Sequence, residues 1–172
     1  MSYFNIVSQS DESTVVAEYT PQSQRSDAYQ SEADLENEFI RLLCELGYER
    51  LAIHKEADLI ANLRTQLEKL NDYRFTDGEW QRFWNEVLAN SNSGILEKTR
   101  LIQEDYVQVL RRDSGESKNI QLIDKKCIHH NSLQVIHQYA ISAKEGAAHD
   151  NRYDVTVLVN GLPLIHIELK RR

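Results

Sequence analysis

The sequence predicts an α/β domain in which helices come first and a mixed, mainly antiparallel sheet follows, with the helices packed on it. Apolar residues recur at spacings of three and four as far as residue 102, the mark of one-sided helices. From residue 106 onward they alternate or gather in short runs rich in Val and Ile, the mark of strands. Turn residues punctuate those runs at Asp113-Ser114-Gly115 and Asn160-Gly161. With 172 residues the chain is long enough for one domain with a proper core and too short for two.

Residues 1–28 are polar, carry Pro21 and many Ser, Gln and Asp, and bury little apolar surface; they read as a partly flexible arm. A short strand is expected there at residues 5–7 or 13–17. Ser31 is placed as the N-cap of a first helix, with Glu32, Asp34 and Glu36 in the opening turns that the helix dipole favours for acids. Leu35, Phe39, Leu42 and Leu46 make its apolar stripe, and Gly47 stops it. A second helix is expected over residues 56–70, with Leu59, Leu63, Leu67 and Leu70 on one side. Thr76-Asp77-Gly78-Glu79 is a capping box that opens a third, whose Trp80, Phe83, Trp84, Val87 and Leu88 read as core rather than as a base-stacking platform. A turn at 90–94 and a short fourth helix at 95–102 follow. Strands are expected at 106–110, 119–123, 133–139, 153–159 and 164–169.

The formal net charge of −7 at first speaks against a nucleic-acid protein, but its distribution matters more than its sum. Residues 1–50 carry ten acids and three bases, which leaves seventeen of each in the remainder. Beyond the opening segment the chain is therefore neutral, with a basic terminus at Lys170-Arg171-Arg172. Cys44 and Cys127 have no neighbour at metal-ligand spacing and read as small buried hydrophobes. No run approaches the ~20 apolar residues of a membrane span, and the first residues lack the pattern of a secretory signal. The expectation is a cytoplasmic protein with no membrane association.

The segment that carries chemistry runs from Arg152 to Lys170. An acid, Asp154, lies on one apolar strand; a tight turn follows; Glu168-Leu169-Lys170 lies on the return strand. Side chains at i and i+2 share a strand face, so Glu168 and Lys170 point the same way. Two converging carboxylates suit a hard divalent cation such as Mg²⁺, with Mn²⁺ as its substitute. The backbone carbonyl of Ile167 is a natural further ligand, and a nearby ammonium suits the charge developed in phosphodiester hydrolysis. The charges sit among Val155, Val157, Val159, Ile165 and Leu169, where they are costly without a purpose. Register sets a condition. An ideal two-residue turn at Asn160-Gly161 would oppose Asp154 to Ile167 and send Glu168 to the other face. The site needs either a three-residue loop, Asn160-Gly161-Leu162, or a β-bulge.

The triple Asp154, Glu168, Lys170 resembles the PD-(D/E)xK nuclease motif. The runs Gly94-Ile-Leu-Glu-Lys-Thr-Arg100, Asn119-Ile-Gln-Leu-Ile-Asp-Lys-Lys126 and Arg152 to Arg171 resemble type I restriction endonuclease R subunits, as does the opening helix from Tyr29 to Glu36. The resemblance spans residues 29–172. It implies a restriction-endonuclease-like core and a type I site-specific deoxyribonuclease activity: Mg²⁺-dependent hydrolysis of double-stranded DNA, coupled in the full-length enzyme to ATP-driven translocation. Asp154 and Glu168 would be metal ligands and Lys170 the catalytic lysine. An acid of the first helix often joins such sites, Glu32 being preferred here and Glu36 the alternative. Motor domains, methyltransferase and specificity subunits are the implied partners, with ATP bound only by the motor. R subunits are much longer, and this chain carries no G-x-x-x-x-G-K-[ST] loop for ATP. The family's further helix after the Glu-x-Lys strand, bearing Gln and Tyr, is also absent.

His129, His130, His137 and His149 lack Cys partners and helical pairing, so they read as solvated loop histidines and not as a zinc site. His166, two residues before Glu168, is expected to line the cleft. The rival reading is a non-catalytic docking domain for the motor or methyltransferase, using the acidic first fifty residues and the helix of Trp80 and Trp84 as its interface.

Overall fold

The computed structural model describes residues 4–9, 15–19, 31–141 and 151–170. The chain divides into two compact units, residues 1–30 and 31–172. In the first, β1 (Phe4–Gln9) and β2 (Val15–Tyr19) pair antiparallel with an irregularity between Ile6 and Ser8. Both candidate strands of the arm thus form, as each other's partners.

The second unit begins with α1 (Glu32–Glu45), whose Ser31 cap accepts from the Asp34 N–H while Asp34 reaches back to the Ser31 backbone. Gly47, at φ 96°, ends it in the left-handed region. The short strand β3 (Glu49–Leu51) follows, too brief to leave a pattern in the sequence. After α2 (Glu56–Asn71) comes α3 (Asp77–Phe83), opened by the Thr76–Glu79 capping box and prolonged by one widened turn over Trp84–Leu88. Next are α4 (Ile95–Gln103) and the hairpin of β4 (Val107–Arg111) with β5 (Ser117–Gln121). The chain closes with β6 (Leu133–Ile141), β7 (Asn151–Val159) and β8 (Leu162–Ile167).

The main sheet has the order β3-β6-β7-β8, with β3 parallel to β6 and the other pairs antiparallel. It is the mixed, mainly antiparallel sheet with flanking helices that the sequence predicts. α1 packs on one face, where Ile40, Val135 and Val155 are buried with Ile167 and Leu169 against them. On the other face Ile53, Ile136, Tyr139 and Leu158 close with Leu59 of α2. The largest core joins α2 and α3 to the β4–β5 hairpin through Leu63, Leu67, Phe75, Trp80, Phe83, Leu110, Ile120, Leu122 and Leu162. Each such buried side chain contributes roughly 1.5–3 kcal/mol. The aromatic stripe of α3 is core, as expected, with Trp80 buried and Trp84 partly buried against the same cluster.

Two expectations fail on rotation. The buried residues of α1 are Glu36 and Ile40, with the predicted Phe39 and also Leu43 partly buried beside them, so the stripe is turned in part from the predicted one, and Leu42 and Leu46 are exposed at 44% and 74%. An apolarity count passes over a buried acid, and Glu36 is that acid. Cys44 lies on the outer side of the same helix and is exposed, and Cys127 is only partly covered, so neither is the buried hydrophobe expected.

Glu79, 3% exposed, ties α3 to the β4–β5 hairpin. It accepts from the Thr76 N–H, the Asp113 N–H and the Tyr73 hydroxyl at 2.9–3.0 Å. Burial pushes its carboxyl up, but those three donors outweigh burial and hold it below its ordinary 4.5. A depressed carboxylate contributes stability that is complete above the unfolded value and is lost as pH falls through the folded one. Thermal unfolding followed by circular dichroism should therefore show a midpoint that drops below about pH 4.5, and Glu79→Gln should flatten that limb. At pH 7 Glu79→Ala leaves the three donors unanswered and costs about 2 kcal/mol.

Candidate metal centre

The β7–β8 hairpin is built around a buried turn. Val159 pairs with Leu162 and Leu158 with Pro163, so Asn160-Gly161 is a two-residue turn. Both residues have positive φ, 51° and 80°, as a turn matching the strand twist requires. The Asn160 side chain is 1% exposed and donates to the Leu122 carbonyl and Asn131 Oδ1 while accepting from the Ser132 N–H. The turn is thereby fastened to the loops before β6.

Continued without change, that register would set Asp154 against Ile167. It changes between Val157 and Leu158: Val157 pairs with Ile165, and Leu164 is left as the extra residue of a β-bulge. Thr156 then opposes His166 and Val155 opposes Ile167, where β8 ends; carried one residue further, this register would set Asp154 opposite Glu168. Of the two departures the sequence allowed, the bulge is the one present.

Around that point the predicted residues come together in part. The Lys170 ammonium lies 3.1 Å from Glu168 Oε1, both side chains being well exposed. Asp154, half-buried, accepts from the Leu169 N–H at 2.7 Å, so its carboxylate lies against the backbone between Glu168 and Lys170. A carboxylate has roughly four lone-pair positions, and this bond leaves it acceptor capacity. The Ile167 side chain packs towards α1, which leaves its backbone carbonyl as the group it can offer a cation. Glu32 is exposed in the first turn of α1. The acid of that helix buried against the sheet is Glu36, the alternative.

His166, expected to line the cleft, is exposed at the end of β8 and meets Thr156 and Tyr153 of β7. Its Nδ1 is 3.0 Å from Thr156 Oγ1, and its ring stacks on Tyr153 at 4.0 Å. Loss of hydration lowers its pKa below the ordinary 6.5. Tyr153 and Thr156 are three apart, and strict alternation would place them on opposite faces. The pleat of β7 therefore breaks between them, at Asp154-Val155.

The histidine expectation holds for His129, which is exposed, and for His130, whose Nδ1 meets Asp124 at 3.0 Å on an open loop. His149 lies outside the described residues. His137 is a correction: it sits in β6, half-buried, with Nε2 2.7 Å from Glu36 Oε2. Gln138 donates to the same oxygen at 3.2 Å. The sequence reading missed this trio, although Glu36 stands four residues before the buried Ile40 and so on its face.

Among the described residues no three His, Cys, Asp or Glu side chains gather at metal-holding distance. Two carboxylates and a carbonyl on a partly open edge still fit Mg²⁺, which keeps several of its waters and needs only one or two protein carboxylates.

Comparison with known proteins adds independent findings. The family described as Type I restriction enzyme R protein N terminus matches residues 29–172. The chain is 41% identical over 167 residues to the type I restriction enzyme EcoprrI endonuclease subunit of Escherichia coli, covering 96% of this chain and 52% of that protein. It is 39% identical over 150 residues to the SauMSSORF170P endonuclease subunit of Staphylococcus aureus strain MSSA476, and 36% over 149 to the SsaAORF53P subunit of Staphylococcus saprophyticus. Each of these two alignments covers 84% of this chain and 15% of the relative. The chain thus spans about half the length of one relative and a small part of the others.

Proposed function

The chain belongs to the family of type I restriction enzyme R protein N termini, and on that premise we propose that it is a Mg²⁺-dependent nuclease domain that hydrolyses phosphodiesters of double-stranded DNA. The observation that carries the reading is the bulge at Leu164, because it gives the two-residue hairpin the register that, continued past Ile167, would bring Asp154 to Glu168. The names of the relatives support an endonuclease role in general. ATP-driven translocation and assembly with methyltransferase and specificity subunits belong to the same reading, as properties of the longer protein.

Asp154 and Glu168 would hold the cation, with the Ile167 carbonyl as a further oxygen. Bound there, Mg²⁺ supplies Lewis acidity and a water of lowered pKa. Lys170, held over the Glu168 carboxylate, presents an ammonium to a nucleophilic water and to the charge that builds on the phosphate. His166, exposed two residues before Glu168, presents an imidazole along the approach, its ring held from beneath by the buried Thr156 hydroxyl. No groove-entering recognition element is legible in the sequence, so hydrolysis is expected to be indifferent to sequence at the cut.

The test is DNA cleavage by the full-length subunit in its complex, with Lys170→Ala. Lys170 is 76% exposed, so its loss leaves stability within about 0.5 kcal/mol of the parent. Cleavage is expected to fall at least about 100-fold. Undiminished cutting would refute the catalytic role and favour a docking domain.

A further inference from the structure

β6 carries an irregularity placed where the proposed centre needs it. Gln138 has φ 52°, the left-handed region that side chains other than glycine rarely adopt. His137 pairs with Val155 and Tyr139 with Tyr153, so Gln138 is the residue on the rung of Asp154. Consecutive residues of a regular strand point to opposite faces. Here His137 and Gln138 both reach one oxygen of Glu36, from α1. Tyr139 has in turn crossed to the α2 side, where it is buried with Ile136 and Leu158. On β7 the matching break falls at Asp154-Val155, and the Asp154 carboxylate lies along the backbone at Leu169 instead of standing off the sheet. The two breaks share a rung.

We propose that Glu36 is a positioning residue: its buried carboxylate holds the left-handed Gln138 against α1, and that kink in β6 turns Asp154 towards the Glu168–Lys170 segment that follows β8. The inference rests on the reading of Asp154 as a cation ligand, but its structural half can be measured without the cation. Glu36 is 7% exposed, and a carboxylate in such a place needs donors; His137 and Gln138 supply them. The arrangement makes the helix a brace for the strand. It also gives an acid of α1 a role that needs no contact with the metal.

Hydrogen exchange and Mn²⁺ titration of the 172-residue chain test it together. In Glu36→Ala the Leu169 amide should exchange about tenfold faster relative to the Leu122 amide, which donates to the Tyr106 carbonyl far from the kink. Mn²⁺ affinity should fall by about the same factor, the usual scale for a residue that orients a ligand. The decisive variant is Glu36→Ala with Gln138→Gly. Glycine adopts φ 52° without strain, so both readouts should recover without any carboxylate at 36. A Leu169 amide unchanged in Glu36→Ala overturns the proposal. So does a double variant in which Leu169 recovers and Mn²⁺ binding does not, since Glu36 would then be a ligand itself. Should Glu36→Ala lower the protection of Leu122 as well, Glu36→Gln, which keeps an acceptor in place, is expected to leave the ratio of the two amides within twofold of the parent; a larger change counts against the proposal. A parent chain that binds no Mn²⁺ defeats the nuclease reading alone, and the Leu169 amide still decides the role of Glu36.

Discussion

Gly161→Ala is expected to destabilise the larger unit by roughly 3 kcal/mol or more. Two effects add. Gly161 sits at φ 80°, where an L side chain costs about 1–2 kcal/mol. A Cβ there would lie 2.6 Å from the Leu63 Cα, 3.0 Å from its N and 3.2 Å from its Cβ. The obstacle is mostly helix backbone, which cannot swing aside as a flexible side chain could. Either α2 or the turn must move, and the turn is fastened by Asn160 to Leu122, Asn131 and Ser132. Gly115→Ala separates the two effects. Its φ of 86° carries the same conformational cost, but no atom lies within 4 Å of the added methyl. Urea unfolding should give about 1 kcal/mol for Gly115→Ala and at least three times that for Gly161→Ala. Equal losses would mean that α2 does not press on the turn.

Asp154→Asn should abolish divalent-cation binding at the β7–β8 edge while leaving the fold in place. The side chain keeps its shape and an oxygen that can accept from the Leu169 N–H, so the strand ends stay joined. What it loses is a unit of negative charge. Near a protein surface one unit charge at about 4 Å from another is worth about 4 kcal/mol, roughly three decades of affinity. That exceeds anything the retained hydrogen bond can offset. Calorimetric titration with Mn²⁺ should detect no binding at millimolar concentrations, and cleavage by the full-length subunit should drop by about 10³-fold. Binding that survives the substitution would place the cation elsewhere.

Much of the fold was legible because its cues are local. Ser31 and Thr76 announce two helices by capping chemistry that needs only four residues to read, and Asn160-Gly161 announces its turn in two. That Asp154 and the Glu168–Lys170 pair lie near one another was legible because a turn returns the chain beside itself, although alternation and that turn alone would have left Asp154 and Glu168 on opposite faces. Other features depend on partners distant in the chain. β3 has three residues and exists as a strand because β6 lies beside it. Glu36 is buried because His137 and Gln138, about a hundred residues later, meet it. No count of apolar positions on α1 could contain that. The register condition was intermediate: parity showed that the hairpin must depart from the ideal, but the choice between a longer loop and an extra residue at Leu164 is made by packing of the turn on α2.

The parallel rung of Glu49 with Gln134 joins segments 85 residues apart, and this has a consequence for synthesis on the ribosome. The β6–β7–β8 meander contains only near neighbours and can close by itself, whereas α1 and β3 emerge first and wait for it. At about 5–20 residues per second that wait is on the order of ten seconds, during which Ile40 and Leu43 have no sheet to cover them. The amino-terminal helix is thus the earliest part of this unit to be made and among the last to be seated, and a nascent-chain crosslink from it should map to other proteins before it maps to β6.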